Sequence, residues 1–208
     1  MVVKFKMKYI LTVLFLLLST WACNNNNTQH LNNSDSLKPI DKPTTIHKSN
    51  FDTLAVSQGD LNSDNNPDLV IIFTKKGEDT AFNPAPTRPV EILFGQNDHS
   101  YTLICSSDSV VMTHDMGGVS EAEPFAYLKI ENGVMSIQHN GSMGSFHWLL
   151  TVSFRYSLTD KVFYVDKIIT EQEKYSDNIS EATHETVVKT KKDFGKLPFS
   201  RYSVFKSD

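Results

Sequence analysis

The sequence predicts a mainly β domain, an antiparallel β-sandwich or open barrel of about eight short strands with little helix. Three observations predict it. From Phe51 onward, runs rich in Val, Ile, Phe, Tyr and Thr are separated by clusters of Gly, Asn, Asp, Ser and Pro, which suits pleated strands joined by tight turns. Between Tyr127 and Gln138, apolar and polar residues alternate on both sides of Asn132-Gly133, a pair that supplies the two positive φ angles of a type I′ hairpin. Nothing repeats at a fixed spacing, which argues against a complete propeller or solenoid.

Taken in order, the strands are expected at Thr53 to Ser57, Asp68 to Thr74, Val90 to Phe94 and Tyr101 to Cys105, the last two joined by the turn-forming Gln96 to Ser100. The Tyr127 to Gln138 hairpin follows. Phe146 to Tyr156 and Val162 to Ile169 form a second long pair around Ser157-Leu-Thr-Asp160, and Thr186 to Thr190 makes a final strand. Glu171 to Ala182 is polar enough for a loop or one short helix.

The start of the chain has a different character. Met1 to Ala22 carries Lys4, Lys6 and Lys8, no acid, and the apolar run Ile10 to Leu18. This is the layout of a secretory signal peptide, and the run is too short to span a bilayer. Without it, 186 residues remain and the formal charge moves from −4 to −7. A chain of about 150 residues can bury roughly 70% of its unfolded surface, so neither a disulfide nor a metal is needed merely to hold it together. The acidic balance, with scattered lysines, excludes the concentrated basic face that nucleic-acid binding requires.

Leu18-Ser-Thr-Trp-Ala-Cys23 resembles a bacterial lipobox, in which the cysteine is acylated and becomes the first residue. Thr20 stands where an aliphatic residue is usual, and Thr20-Trp21-Ala22 also reads as an ordinary small-x-small cleavage site. The lipobox reading makes 1–22 the signal peptide, Cys23 the lipidation site, 23–49 a flexible tether and 50–208 a single β domain. The asparagine-rich stretch from Asn24 to Ser49 is too polar to pack a core, as a tether must be. Cys105, within an apolar strand and with no histidine near it in sequence, reads as a small buried filler.

One motif carries recognisable chemistry. In Gly59-Asp60-Leu-Asn62-Ser-Asp64-Asn-Asn66-Pro-Asp68, oxygen-bearing side chains recur at relative positions 1, 3, 5 and 9, and an apolar strand follows at once. Ca²⁺ takes six to eight oxygens, which a curled loop of this spacing can gather, with the Asn66 carbonyl as an addition. Three carboxylates and an amide suit Ca²⁺ better than a soft metal. The expected metal set is therefore Asp60, Asn62, Asp64, Asn66 and Asp68, with Ca²⁺ as a structural cofactor. Asn65 occupies a position where glycine is usual, and Asn tolerates the left-handed backbone. Ile71 stands at position 12, where an EF-hand has glutamate. The competing reading is an Asx-rich turn that needs no ion.

This block resembles the Gly-Asp-Leu-Asn-x-Asp-x-x-x-Asp-Leu-Val loop of FG-GAP or VCBS-type calcium repeats, present once. Together with Arg88 to Gln96, Pro124-Phe125, Ser153 to Tyr156 and the Gly141 to Trp148 segment, it is similar to a family of small secreted bacterial lipoproteins of uncharacterised function. That resemblance implies an envelope address and calcium. It supplies no activity.

Catalytic signatures are sparse. There is no Gly-x-Ser-x-Gly elbow, His-Glu-x-x-His or Walker loop. His114, Asp115, Glu121 and Glu123 form the one cluster of histidine and carboxylates, and His139 and His147 flank a Gly/Ser-rich loop. Trp148, Phe146 and Tyr156 either line a sugar-binding face or fill the core. The expectation is a calcium-stabilised, non-catalytic cell-envelope lipoprotein, held to the membrane by its lipid outside the cytoplasm, acting as an accessory or binding module toward an envelope protein or polysaccharide. The alternative is a hydrolase of cell-wall or polysaccharide material working through the 114–123 loop.

Overall fold

A computed structural model describes residues 50–78, 84–118, 123–175 and 182–206. The expected signal peptide (1–22), Cys23 and the expected tether lie outside the described residues, as does Glu121. Nine strands account for the architecture: β1 (Phe51–Gly59), β2 (Asp68–Lys75), β3 (Val90–Gly95), β4 (Tyr101–Ser107), β5 (Phe125–Glu131), β6 (Val134–Met143), β7 (Phe146–Ser157), β8 (Val162–Tyr175) and β9 (Ala182–Thr190). They form two antiparallel meanders, a four-stranded sheet in the order β1-β2-β3-β4 and a five-stranded sheet in the order β5-β6-β7-β8-β9. Of the described residues, 59% are in strands and 8% in helix, and the sheets do not close into a barrel. The mainly β, sandwich-type fold is as the sequence predicts.

The core lies between the sheets. Val70 and Ile72 from β2 and Val90, Ile92 and Phe94 from β3 meet Met135 and Ile137 from β6, Val152 and Phe154 from β7, and Phe163 and Val165 from β8. Each is a residue of every second position, as the two-residue period of a strand requires. Burying such side chains contributes about 1.5–3 kcal/mol apiece. Leu69, Ile71, Phe73 and Leu93 form a second cluster on the other face of β2 and β3. Both of these strands are thus buried on both faces, and their sequences are continuous apolar runs instead of alternating ones.

The β5–β6 hairpin turns at Asn132 and Gly133 with φ of 51° and 71°, the left-handed pair that the type I′ turn demands. A four-residue helix, α1 (Lys191–Phe194), follows β9 and is opened by a capping box between Thr190 and Asp193. Among the described residues no helix is long and apolar enough to cross a membrane.

One element departs from expectation. Glu171 to Tyr175 is strand, not loop or helix, because β8 runs on to Tyr175 and pairs with both β7 and β9. There the sheet extends past the part covered by its partner. With neither face fully buried, the residues carry no apolar alternation that would announce a strand.

Candidate functional site

The Gly59 to Asp68 loop joins β1 to β2, whose last ladder pair is Gly59 with Asp68. It is curled by its own side chains. Asp60 accepts from Ser63 N through Oδ1 at 2.7 Å and from Asn65 N through Oδ2 at 3.0 Å. Asn62 Oδ1 accepts from Asp64 N at 3.0 Å, and Asp64 Oδ1 from Asn66 N at 2.7 Å. Ser63 and Asn65 take positive φ, 64° and 65°. Asn65 thus fills the glycine position in the left-handed backbone that asparagine tolerates.

Asp68 has a different place. It is fully buried, and its two oxygens accept from Leu61 N at 2.7 Å and Gly95 N at 3.0 Å. It therefore ties the loop to the end of β3. Its carboxyl is pushed up from the ordinary value, first by burial, against the pull of those two amides, with repulsion from Asp64 and Asp60 added. The exposed Asp64 is held low, chiefly by the Asn66 amide.

The donor chemistry fits Ca²⁺: all oxygen, with the Asp60 and Asp64 carboxylates on one tight loop and both within electrostatic reach of Asp68. A carboxylate oxygen that accepts one amide keeps a second lone pair. Among the described residues no group of three or more His, Cys, Asp or Glu side chains converges to hold a metal. An ion here would therefore draw on the Asn62 amide oxygen and the Asn66 carbonyl as well as on the carboxylates.

The second constellation sits between the sheets at the other end of β2. Arg88 is 2% exposed and Glu78 4%. Arg88 Nε donates to Glu78 Oε1 at 2.7 Å, and its two terminal nitrogens grip both oxygens of Glu123 at 2.7 and 2.6 Å. Thr74 and the His114 amide also donate to Glu78. Burial alone would raise the Glu123 carboxyl, but the Arg88 and Phe125 hydrogen bonds outweigh it and hold Glu123 below the carboxylate range. A cavity of about 270 Å³ opens here, lined by Thr74, Glu78, Arg88, His114 and Glu123 among others.

The structure therefore brings His114 and Glu123 together, as the sequence cluster suggests, but adds Glu78 and Arg88, which sequence reading missed. No local pattern marks them: Arg88 and Glu123 lie 35 residues apart. Asp115 is taken up locally by the Thr113 hydroxyl. His139 is fully buried on β6, where Nε2 accepts from Met112 N at 3.2 Å. Burial, with Arg88 adding repulsion, pushes its imidazole down to about 4. Burial likewise pushes the Cys105 thiol up to about 12. Phe146, Trp148 and Tyr156 all lie on β7. Tyr156 packs on the core against Phe94 and Phe163, whereas Trp148 borders a separate cavity.

The chain matches no known family model, no curated protein and no solved structure.

Proposed function

We propose that this chain is a calcium-stabilised, non-catalytic lipoprotein of the bacterial cell envelope, acting as an accessory or binding module on a lipid tether at Cys23. The observation that carries the calcium part is the loop itself. It places Asp60, Asn62 and Asp64 on a tight curl over the buried Asp68, whose carboxyl already feels the repulsion of Asp60 and Asp64. A divalent ion bound by Asp60, Asn62, Asp64, Asn66 and Asp68 relieves that repulsion and fixes the β1–β2 joint to β3. The envelope address rests on the Met1 to Cys23 sequence, and the resemblance to secreted lipoproteins on the Gly59 block with the Arg88 to Gln96, Pro124-Phe125, Gly141 to Trp148 and Ser153 to Tyr156 segments.

The hydrolase alternative fares worse on the same geometry. An acid–base pair needs a carboxylate free to exchange a proton near the working pH. Glu123 instead gives both oxygens to Arg88, which keeps it ionised.

Two measurements test the proposal. Detergent partitioning and mass spectrometry of the native protein should find an acylated Cys23, and Cys23→Ser should release a soluble form. Two or more acyl chains give firm anchoring where one gives a marginal hold. Melting should rise with millimolar calcium and fall with chelator. A soluble wild-type protein with an unmodified N-terminus overturns the first half, and identical melting in both conditions overturns the second.

A further inference from the structure

The five-stranded sheet carries a groove that neither the loop nor the Arg88 cluster uses. In β7, Leu150, Val152 and Phe154 point into the core, so His147 and Leu149 face outward. The register then sets a row across three strands, with His147 opposite Glu173 and Glu173 opposite His184. Leu149 opposite Glu171 makes the next row. These residues line a cavity of about 230 Å³, completed by Tyr175 and Asn140, while the backbone of Trp148 and Gln172 forms its floor and their side chains turn to the other face.

Its aromatic groups are held in place. The His147 and Tyr175 rings meet edge to face with centroids 5.5 Å apart. The neighbouring Glu173 carboxylate raises the Tyr175 phenol above its ordinary value and so keeps it a donor. Behind the groove, on the other face of the sheet, the Trp148 ring lies against Gly141, where an added Cβ would collide with it. Rigid rings beside planar polar groups are the arrangement that binds a molecule with both C–H faces and many hydroxyls.

We propose that this groove binds a neutral saccharide. Sugar C–H faces pack on the His147 and Tyr175 rings and on Leu149, and hydroxyls bond to the carboxylates of Glu171 and Glu173 and the amide of Asn140. Among the described residues no lysine or arginine lines the groove, which disfavours phosphates and acidic sugars. An amine would use only the two carboxylates and leave the Asn140 amide and the imidazoles idle; a polyol uses all of them. Hydrogen bonds to charged acceptors are the stronger kind, so the two glutamates carry orientation. The assignment rests on the binding-module reading and gives that module its ligand class.

The test uses the native mature protein in detergent with calcium present. Trp148 is the one tryptophan after the proposed cut and lies on the groove strand with its ring on the opposite face, so calorimetry is the primary reading and its fluorescence the secondary one. Cello-, malto- and N-acetylchito-oligosaccharides are titrated by fluorescence and calorimetry, with polygalacturonate, spermidine and Zn²⁺ as contrasts. At least one neutral glycan should bind saturably. Glu173→Gln and Tyr175→Ala should each weaken that binding about tenfold, equivalent to about 1.4 kcal/mol. Met143→Ala, exposed on the same sheet but outside the groove, should not change it. No binding of any neutral glycan at millimolar concentration, binding indifferent to both groove variants, or binding of spermidine or Zn²⁺ in their place overturns the assignment. If glycans fail while calcium still raises the melting temperature, the saccharide inference alone falls. If glycans bind but calcium has no effect, the calcium reading alone falls.

Discussion

Arg88 holds Glu123 by both terminal nitrogens, at 2.7 and 2.6 Å, while its Nε holds the buried Glu78. The pair joins the segment before β3 to the segment before β5 and so ties one sheet to the other. Removing one member of a buried ion pair costs about 3–5 kcal/mol, because its partner's charge is left without compensation. Arg88→Met should therefore destabilise the fold by that order in chemical denaturation. The double variant Arg88→Met with Glu78→Gln should recover part of the loss, since glutamine still accepts from Thr74 and the His114 amide. A double variant no more stable than the single one would remove the uncompensated charge as the explanation.

Stability should also fall as the medium is acidified, with His139 as one cause. An ordinary imidazole titrates near 6.5 and His139 near about 4, because burial and then Arg88 disfavour its charge, against a smaller opposing pull from Glu123. The unfolded chain therefore takes up this proton first. The contribution is full above pH 6.5 and is lost as pH falls through the window down to about 4. At about 1.4 kcal/mol per unit the loss is of order 3 kcal/mol. Glu123, held low, adds a loss at still lower pH, while Asp68, held high, opposes it. Urea denaturation of wild type and His139→Gln between pH 7 and 4 separates these effects. Glutamine keeps an acceptor for Met112 N but does not titrate, so the difference between the two profiles should change across this window; parallel profiles would contradict the assignment.

Cys105 should be inert. Its thiol, half-buried on β4, is pushed up to about 12 by burial alone, so at pH 8 almost none is thiolate, the reactive form. Peptide mapping after iodoacetamide treatment should find Cys105 unlabelled in the native protein and fully labelled in denaturant. Native labelling at the denatured rate would show that the strand opens readily.

Much of this architecture can be read from the sequence, and the boundary has a physical cause. The β5–β6 hairpin was legible because Asn132-Gly133 states its turn and one face of each strand packs on the core. The continuation of β8 through Glu171 to Tyr175 was not, because both of its faces meet solvent and pairing with β7 and β9 overrides the polar composition. Asp60, Asn62 and Asp64 announce their loop by spacing alone, since each bonds to amides two to five residues away. Glu78 and Arg88 announce nothing, because their partners are brought in by the fold.

The loop itself separates two kinds of residue that the motif treats alike. Asp68→Ala leaves the buried amides of Leu61 and Gly95 without an acceptor, at about 1–3 kcal/mol each. It should therefore destabilise the protein in chelator and in calcium alike. Asp60 and Asp64 bond only to exposed amides of their own loop, so Asp60→Ala or Asp64→Ala should cost less than about 1 kcal/mol in chelator. In calcium the order changes. An ion that binds only the folded loop stabilises it by about 2.7 kcal/mol at a hundredfold excess over Kd, and both exposed variants should forfeit that increment. Sites facing the outside of the cell bind calcium at about 10⁻⁴ to 10⁻³ M, so the titration must reach tens of millimolar. Asp98→Ala, which breaks only the turn to Ser100, should respond to calcium as wild type does. If Asp60→Ala and wild type gain equally from calcium, or neither gains, the ion does not sit on this curl, and the side chains serve only to shape an Asx turn over the buried Asp68.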